Sequence, residues 1–255
     1  GPYRHMHNMS LWTAEEDAFA MEGAFASQQL SLDIPMMDVV DFFHVDQMPA
    51  KRKRWMHHYR ELLKRQTLLN GPQKIHLSKN PMMSGWVDSL IETFPGARIV
   101  VMMRNPEECI PSCLKLVLSS WRGKGWSKEE CEVSLNILEG IAYETFHHPK
   151  AVLAQRTDTP HIVVDYRKLT SEPRETVLAV YEALGLEITE EFDTWLQQQA
   201  EREKKHHSKF EYSLGEFRLD KNDMHEKLAE FYEDFGWDAP DKPVDQAHDL
   251  EQADV

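Results

Sequence analysis

The sequence predicts a helix-rich α/β domain of three layers, a parallel sheet flanked by helices on both sides. Three observations carry this. Short β-branched runs at Arg98–Met103 and His161–Asp165 are bounded by breakers and read as strands buried on both faces, the signature of parallel pairing. Long stretches with helical apolar spacing separate them, and strand–helix–strand alternation implies right-handed crossovers. Finally, 255 residues with 41% hydrophobic content are enough for one sizeable core.

Thr13 to Leu30 reads as a helix opened by Thr13 with Glu16 three residues on, a capping box. Pro35 and Pro49 punctuate the next segments. From Pro49 to Leu69, Trp55, Tyr59, Leu62 and Leu69 keep a helical period, and Asn70-Gly71-Pro72 stops it. Lys74–Leu77 reads as a first buried strand, Met83–Phe94 as a helix, and Pro95-Gly96 as a turn into the second strand. A helix starts at Pro106 after Asn105, in the preferred N-cap and first-turn positions. After the third strand, Pro173–Leu184 is a helix ended by Gly185. Helices near Glu190–Lys205 and Lys221–Phe235 close a domain spanning residues 1–240. The acidic residues 241–255 are expected to be a disordered tail.

The formal net charge of −14 argues against nucleic acid as a partner, because phosphate backbones demand a basic surface. A small anionic ligand needs only a local cation cluster. No run approaches the roughly 18 apolar residues of a membrane span, and Gly1–Ser10 lacks the apolar centre of a signal peptide. Cys109, Cys113 and Cys131 are odd in number without a CxxC, and are expected to be reduced thiols in a cytoplasmic setting. His57-His58, His147-His148 and His206-His207 point about 100° apart on a helix, so no metal is expected. Lys51–Arg54 reads as a solvated helix start, and Trp86 and Trp121 are candidates for lining an acceptor pocket.

In open parallel sheets ligands bind at the carboxyl ends of strands. Lys79 comes just after the first predicted strand, Arg104 after the second, and Arg167-Lys168 after the third. Three strand-end cations in one crevice point to an anionic ligand. Arg104 also stands at a helix start, where the dipole and free N–H groups favour an anion, and Asn105, Cys109 and Ser112 share a helix face. A phosphate along that face could take a fork from Arg104 and a hydroxyl from Ser112.

These residues carry a resemblance. Lys79-Asn80-Pro81, then Phe94-Pro95-Gly96-Ala97-Arg98-Ile99-Val100, then Arg104 with Ser112 eight positions on, resemble the sulfotransferase superfamily. Val164–Leu169, Pro173 and Tyr181–Leu186 look like its "Y-x-x-L…P…Y-x-x-LGL" block, and Tyr212-Ser213-Leu214 with Phe217 like its "YSL-x-x-F" segment. The likeness spans roughly Thr13 to Gly236 and implies the fold that P-loop NTPases and sulfotransferases share. It implies sulfuryl transfer from 3′-phosphoadenosine 5′-phosphosulfate to a hydroxyl or amine of a small-molecule, glycan or peptide acceptor. By the same resemblance Lys79 is the catalytic lysine, Arg104 and Ser112 hold the 3′-phosphate, and Tyr166 meets the adenine.

The chain departs from the family in two places. The "R-S-G-T-T" loop that cradles the 5′-phosphate is not found before Thr13, and with no initial Met an upstream segment carrying it is expected to be missing. The histidine base of the cytosolic branch is replaced by Pro81. Among Glu15, Glu16 and Asp17, Glu16 is the candidate base. The Lys204–Lys209 segment stands where the family closes over the 3′-phosphate. The competing reading is a non-catalytic member that binds a 3′-phosphorylated nucleotide without turnover. A nucleotide kinase would need a phosphate loop and a metal-binding acidic strand end, and neither is found.

Overall fold

A computed structural model describes residues 17, 19–26, 29–203 and 214–237. Their elements are ten α-helices and two strands: α1 Gln29–Asp33, α2 Pro49–Asn70, α3 Val87–Thr93, β1 Ile99–Met103, α4 Pro106–Gly123, α5 Lys128–Gln155, β2 His161–Asp165, α6 Tyr166–Ser171, α7 Pro173–Ala183, α8 Glu190–Glu203, α9 Lys221–Lys227 and α10 Ala229–Phe235. The strands are parallel and in register from Ile99 opposite His161 to Met103 opposite Asp165. The α4–α5 pair supplies the crossover a parallel connection requires.

Local chemistry explains most boundaries. Asn105 caps α4 by accepting from the Glu107 amide at 3.0 Å, with Pro106 next in the helix. Ser127 and Glu130 form a reciprocal capping box at the start of α5. Asp165 ends β2 and caps α6 by accepting from the Arg167 amide. Gly185, at φ 62°, takes the left-handed position after α7.

Two apolar clusters hold the chain together. One packs α4 and α5 against α9 and α10 through Ile110, Leu114, Trp121, Phe146, Met224, Leu228 and Phe231. The other joins α2 to residues 42–45 and 83–86 through Phe42, Val45, Trp55, Tyr59, Met83 and Trp86. Gly85 sits so close to the Phe43 carbonyl that a Cβ there would lie 2.2 Å from its oxygen.

Four expectations are corrected. Lys74–Leu77 is not a strand but an irregular segment, with Ile75 and Leu77 71% and 90% exposed. No neighbouring strand pairs with it among the described residues, and an unpaired extended segment gains no ladder. The strands are not buried on both faces: Val100, Met102 and Val163 are more than a third exposed, because a sheet of two strands does not screen its own faces. The expected helix from Thr13 to Leu30 is broken in its described part. A 3₁₀ helix at Phe19–Ala24 ends at Phe25, which takes φ 51°, before α1 begins. The expected helix at 221–235 is two, broken at Leu228, where a fully buried side chain fixes the backbone at φ −120°. The Thr13/Glu16 capping box, Lys204–Lys209, Tyr212-Ser213 and the acidic tail lie outside the described residues.

Candidate functional site

The register of the sheet builds the site. Because Met103 lies opposite Asp165, the next residues, Arg104 and Tyr166, emerge side by side at the carboxyl ends of the two strands. The Arg104 guanidinium carbon sits 4.9 Å from the centroid of the Tyr166 ring. A cation over an aromatic face is attracted to it. Tyr166 keeps about a third of its surface in solvent, so a flat ring can still pack on it.

Arg104 also pairs with Glu108 one turn into α4, Nε at 3.0 Å and a terminal nitrogen at 2.9 Å. The i, i+4 spacing made this partner foreseeable, but sequence reasoning missed it. An incoming anion must compete with Glu108 for the guanidinium. Ser112 is half-buried two turns along the Asn105 face of α4, and no hydrogen bond joins it to Arg104 or Tyr166 among the described residues. Cys109, between them, is an inert neighbour: burial pushes its thiol up to about 12 and that of Cys113 to about 11.

The expected free N–H groups at the start of α4 are not available. Pro106 has none, the Glu107 amide donates to the Asn105 side chain, and the Glu108 amide to the Asn105 carbonyl. The helix dipole remains, but an anion here would meet side-chain donors. Of the third strand-end cations, Arg167 is committed to Asp165 at 2.7 Å and to the Phe235 carbonyl. It pins β2 to α10.

Lys79 is not a strand-end residue. It lies exposed on the irregular segment after Leu77, just before Asn80, which caps the 3₁₀ helix Pro81–Trp86 by accepting from the Met82 amide. That segment is anchored to α2. Asp17 accepts from Tyr59 Oη and from Ser78 Oγ, the latter at 2.6 Å, with His76 3.7 Å away. Burial and the bond to Asp17 raise the Tyr59 hydroxyl well above its usual pKa, so it stays a donor. Glu16 lies outside the described residues, whereas Asp17 sets a carboxylate against Ser78, the residue before Lys79.

Trp86 and Trp121 do not line a pocket. Both are fully buried, their indole N–H groups donating to the carbonyls of Phe42 and Ser31. A second polar network, unforeseen in the sequence, docks residues 41–46 onto α5. His44 reaches Asp41 at 2.7 Å and Glu144 at 2.8 Å, while His148 reaches Asp46 at 2.8 Å. Its partners across the fold lie about a hundred residues apart, so no local pattern announces it. No group of His, Cys, Asp and Glu suited to a metal occurs among the described residues. No described helix is long and apolar enough to cross a membrane.

Residues 4–191 match the model of the sulfotransferase family. No curated protein matches the chain. Among solved structures, the crystal structure of sulfotransferase STF9 from Mycobacterium avium superposes with a TM-score of 0.66 at 16% sequence identity. The match covers 87% of this chain and 56% of the other, so the chain spans little more than half the length of that relative.

Proposed function

Since the chain belongs to the sulfotransferase family, we propose that it transfers a sulfuryl group from 3′-phosphoadenosine 5′-phosphosulfate to the hydroxyl or amine of an acceptor. The observation that carries this is the Arg104–Tyr166 contact where β1 and β2 end together. A cation beside a partly exposed aromatic ring matches a ligand that carries a phosphate next to a purine.

Arg104 takes the 3′-phosphate in exchange for Glu108, and the Ser112 hydroxyl donates a further bond. Tyr166 packs against the adenine. An acceptor oxygen attacks sulfur as the bond from sulfur to the 5′-phosphate oxygen breaks, and negative charge collects on that leaving oxygen. Lys79 stabilises this charge, which a long ammonium side chain on an exposed segment can follow. The acceptor proton goes to a carboxylate. Glu16 is the candidate for this role, and the neighbouring Asp17, whose bond to Ser78 ties it to the Lys79 segment, is the alternative.

Calorimetric titration with adenosine 3′,5′-diphosphate tests the site. Micromolar binding that Arg104→Ala abolishes and 5′-AMP does not reproduce is the expected result. Glu108→Gln tightens it by removing the competing carboxylate. Equal affinity in wild type and Arg104→Ala sinks the assignment. Of Glu16→Gln and Asp17→Asn, the one that removes the base lowers turnover without changing nucleotide affinity. Nucleotide binding with no sulfated product from any acceptor would favour a non-catalytic role.

A further inference from the structure

Helix α2 is a basic element in an acidic protein. Seven of its residues are Lys or Arg and only Glu61 is acidic. Most of these cations are engaged. Lys51 donates to the Asp41 carbonyl, Arg52 pairs with Asp88 and Glu92, and Arg60 and Lys64 share Glu61. Arg54 and Arg65 have no ion-pair partner among the described residues. They stand eleven residues apart, three helical turns, on one face of α2 with His57, His58 and Glu61 between them.

That face forms one side of a cleft of about 380 Å³. The other side is the end of the 3₁₀ helix Phe19–Ala24 and Phe25. The cleft is large enough for a small organic molecule. Gly23 lies against His58, where a Cβ would sit 3.8 Å from the ring, and the buried Nε2 of His58 has no hydrogen-bond partner among the described residues. Among the described residues Glu61 is the one acid in the lining, and its charge is taken up by Lys64 at 2.8 Å and Arg60 at 3.6 Å.

Phe25 is the second, independent observation. The Ala26 amide donates to the Met21 carbonyl and the Phe25 amide to the Glu22 carbonyl, the paired bonds of a Schellman helix end. The residue that closes such an end takes the left-handed conformation, which glycine adopts without strain. A phenylalanine there is strained, and this one is also 78% exposed. Backbone strain that the surrounding structure maintains is the kind of outlier that clusters at functional sites, and this ring lies on the wall of the cleft. The strain and the exposure are both accounted for if the ring is a platform for a ligand.

We propose that the cleft between α2 and Phe25 is a binding site for an aromatic organic anion, a flat ring carrying a sulfate, sulfonate, phosphate or carboxylate. The ring packs against Phe25 and the His57 and His58 imidazoles, and Arg54 or Arg65 takes the anionic head as a fork. The site shares no residue with the Arg104–Tyr166 pair, so it stands or falls apart from the sulfuryl-transfer reading.

The test is calorimetric titration of the full chain with naphthalene-2-sulfonate, alongside 2-naphthol and inorganic sulfate. The sulfonate is expected to bind at least tenfold more tightly than either simpler probe. The double variant Arg54→Gln/Arg65→Gln loses this binding, while Arg104→Ala keeps it. Phe25→Gly weakens it about tenfold and leaves the melting temperature equal to or above that of the wild type, since glycine relieves the left-handed residue. Equal affinity for sulfonate and naphthol, retention in the double arginine variant, loss in Arg104→Ala, or a lowered melting temperature in Phe25→Gly with affinity unchanged would each overturn the proposal.

Discussion

Replacing Asn105 separates what the start of α4 does for stability from what it does for an anion. Asn105 accepts from the Glu107 amide at 3.0 Å, and Asp caps a helix as well as Asn. The new charge also gains about 0.3–1 kcal/mol from the helix dipole. Repulsion within the first turn is muted, because Glu107 is held by Lys221 at 2.9 Å and His225 at 3.2 Å, and Glu108 by Arg104. Asn105→Asp therefore melts within about 2 °C of the wild type. A phosphate held by Arg104 lies about one side chain away, roughly 6 Å. Two like charges at that separation repel by about 3 kcal/mol at an effective dielectric of about 20, and physiological salt reduces this to about 1.3 kcal/mol. The affinity for adenosine 3′,5′-diphosphate then falls about tenfold. Asn105→Ala does the opposite: the lost cap costs about 1 kcal/mol and about 2–4 °C in melting temperature, with little change in affinity. Calorimetry and thermal melts on both variants decide the matter. An Asp variant that binds the nucleotide like the wild type would refute the placement of the phosphate beside α4.

Two further outcomes come from the packing. Gly85→Ala places a Cβ 2.2 Å from the Phe43 carbonyl oxygen, so residues 42–45 must move together with the Phe42 carbonyl that binds Trp86. The cost is about 3 kcal/mol, read as a melting temperature about 6–12 °C lower, and a drop under about 2 °C would show that the segment yields freely. The His44 network makes stability depend on pH. Burial pulls the pKa of His44 down, but the bonds and charges of Asp41 and Glu144 outweigh it, so the net shift from 6.5 is upward. Its contribution is complete below about 6.5 and disappears as pH rises through the folded-state value. For Asp41, burial is outweighed by the His44 and Phe43 amides and by the His44 side chain, and the net shift from 3.8 is downward. That contribution is present above 3.8 and lost as pH falls below it. Glu144→Gln is thus expected to lower the melting temperature at pH 5.5 and to leave it nearly unchanged at pH 8.5. Equal losses at both values would contradict an imidazolium at His44.

The features legible in the sequence are those that neighbouring residues settle among themselves. The strands at 99–103 and 161–165 and the Asn105-Pro106 helix start each depend on a few adjacent residues. Lys74–Leu77 carries the same strand pattern, yet a strand exists only when another offers its N–H and C=O groups, and the pattern is silent on that. The site divides along the same line. Arg104 and Tyr166 could each be named from a strand end, but their contact depends on a register spanning about sixty residues. Ser112 is given by helical spacing, and Glu108 could have been. Arg167 obeys the same strand-end rule and serves the fold instead, because Asp165 and the Phe235 carbonyl claim it first. Arg54, His57, His58 and Arg65 also share a helix face by spacing alone, and only the opposite wall turns that face into a cleft. That wall hangs on Phe25 in a conformation that sequence rules assign to glycine. A residue that breaks its local rule at the rim of a charged cleft is therefore better evidence of selection for binding than one that obeys it, since obedience is already explained by folding.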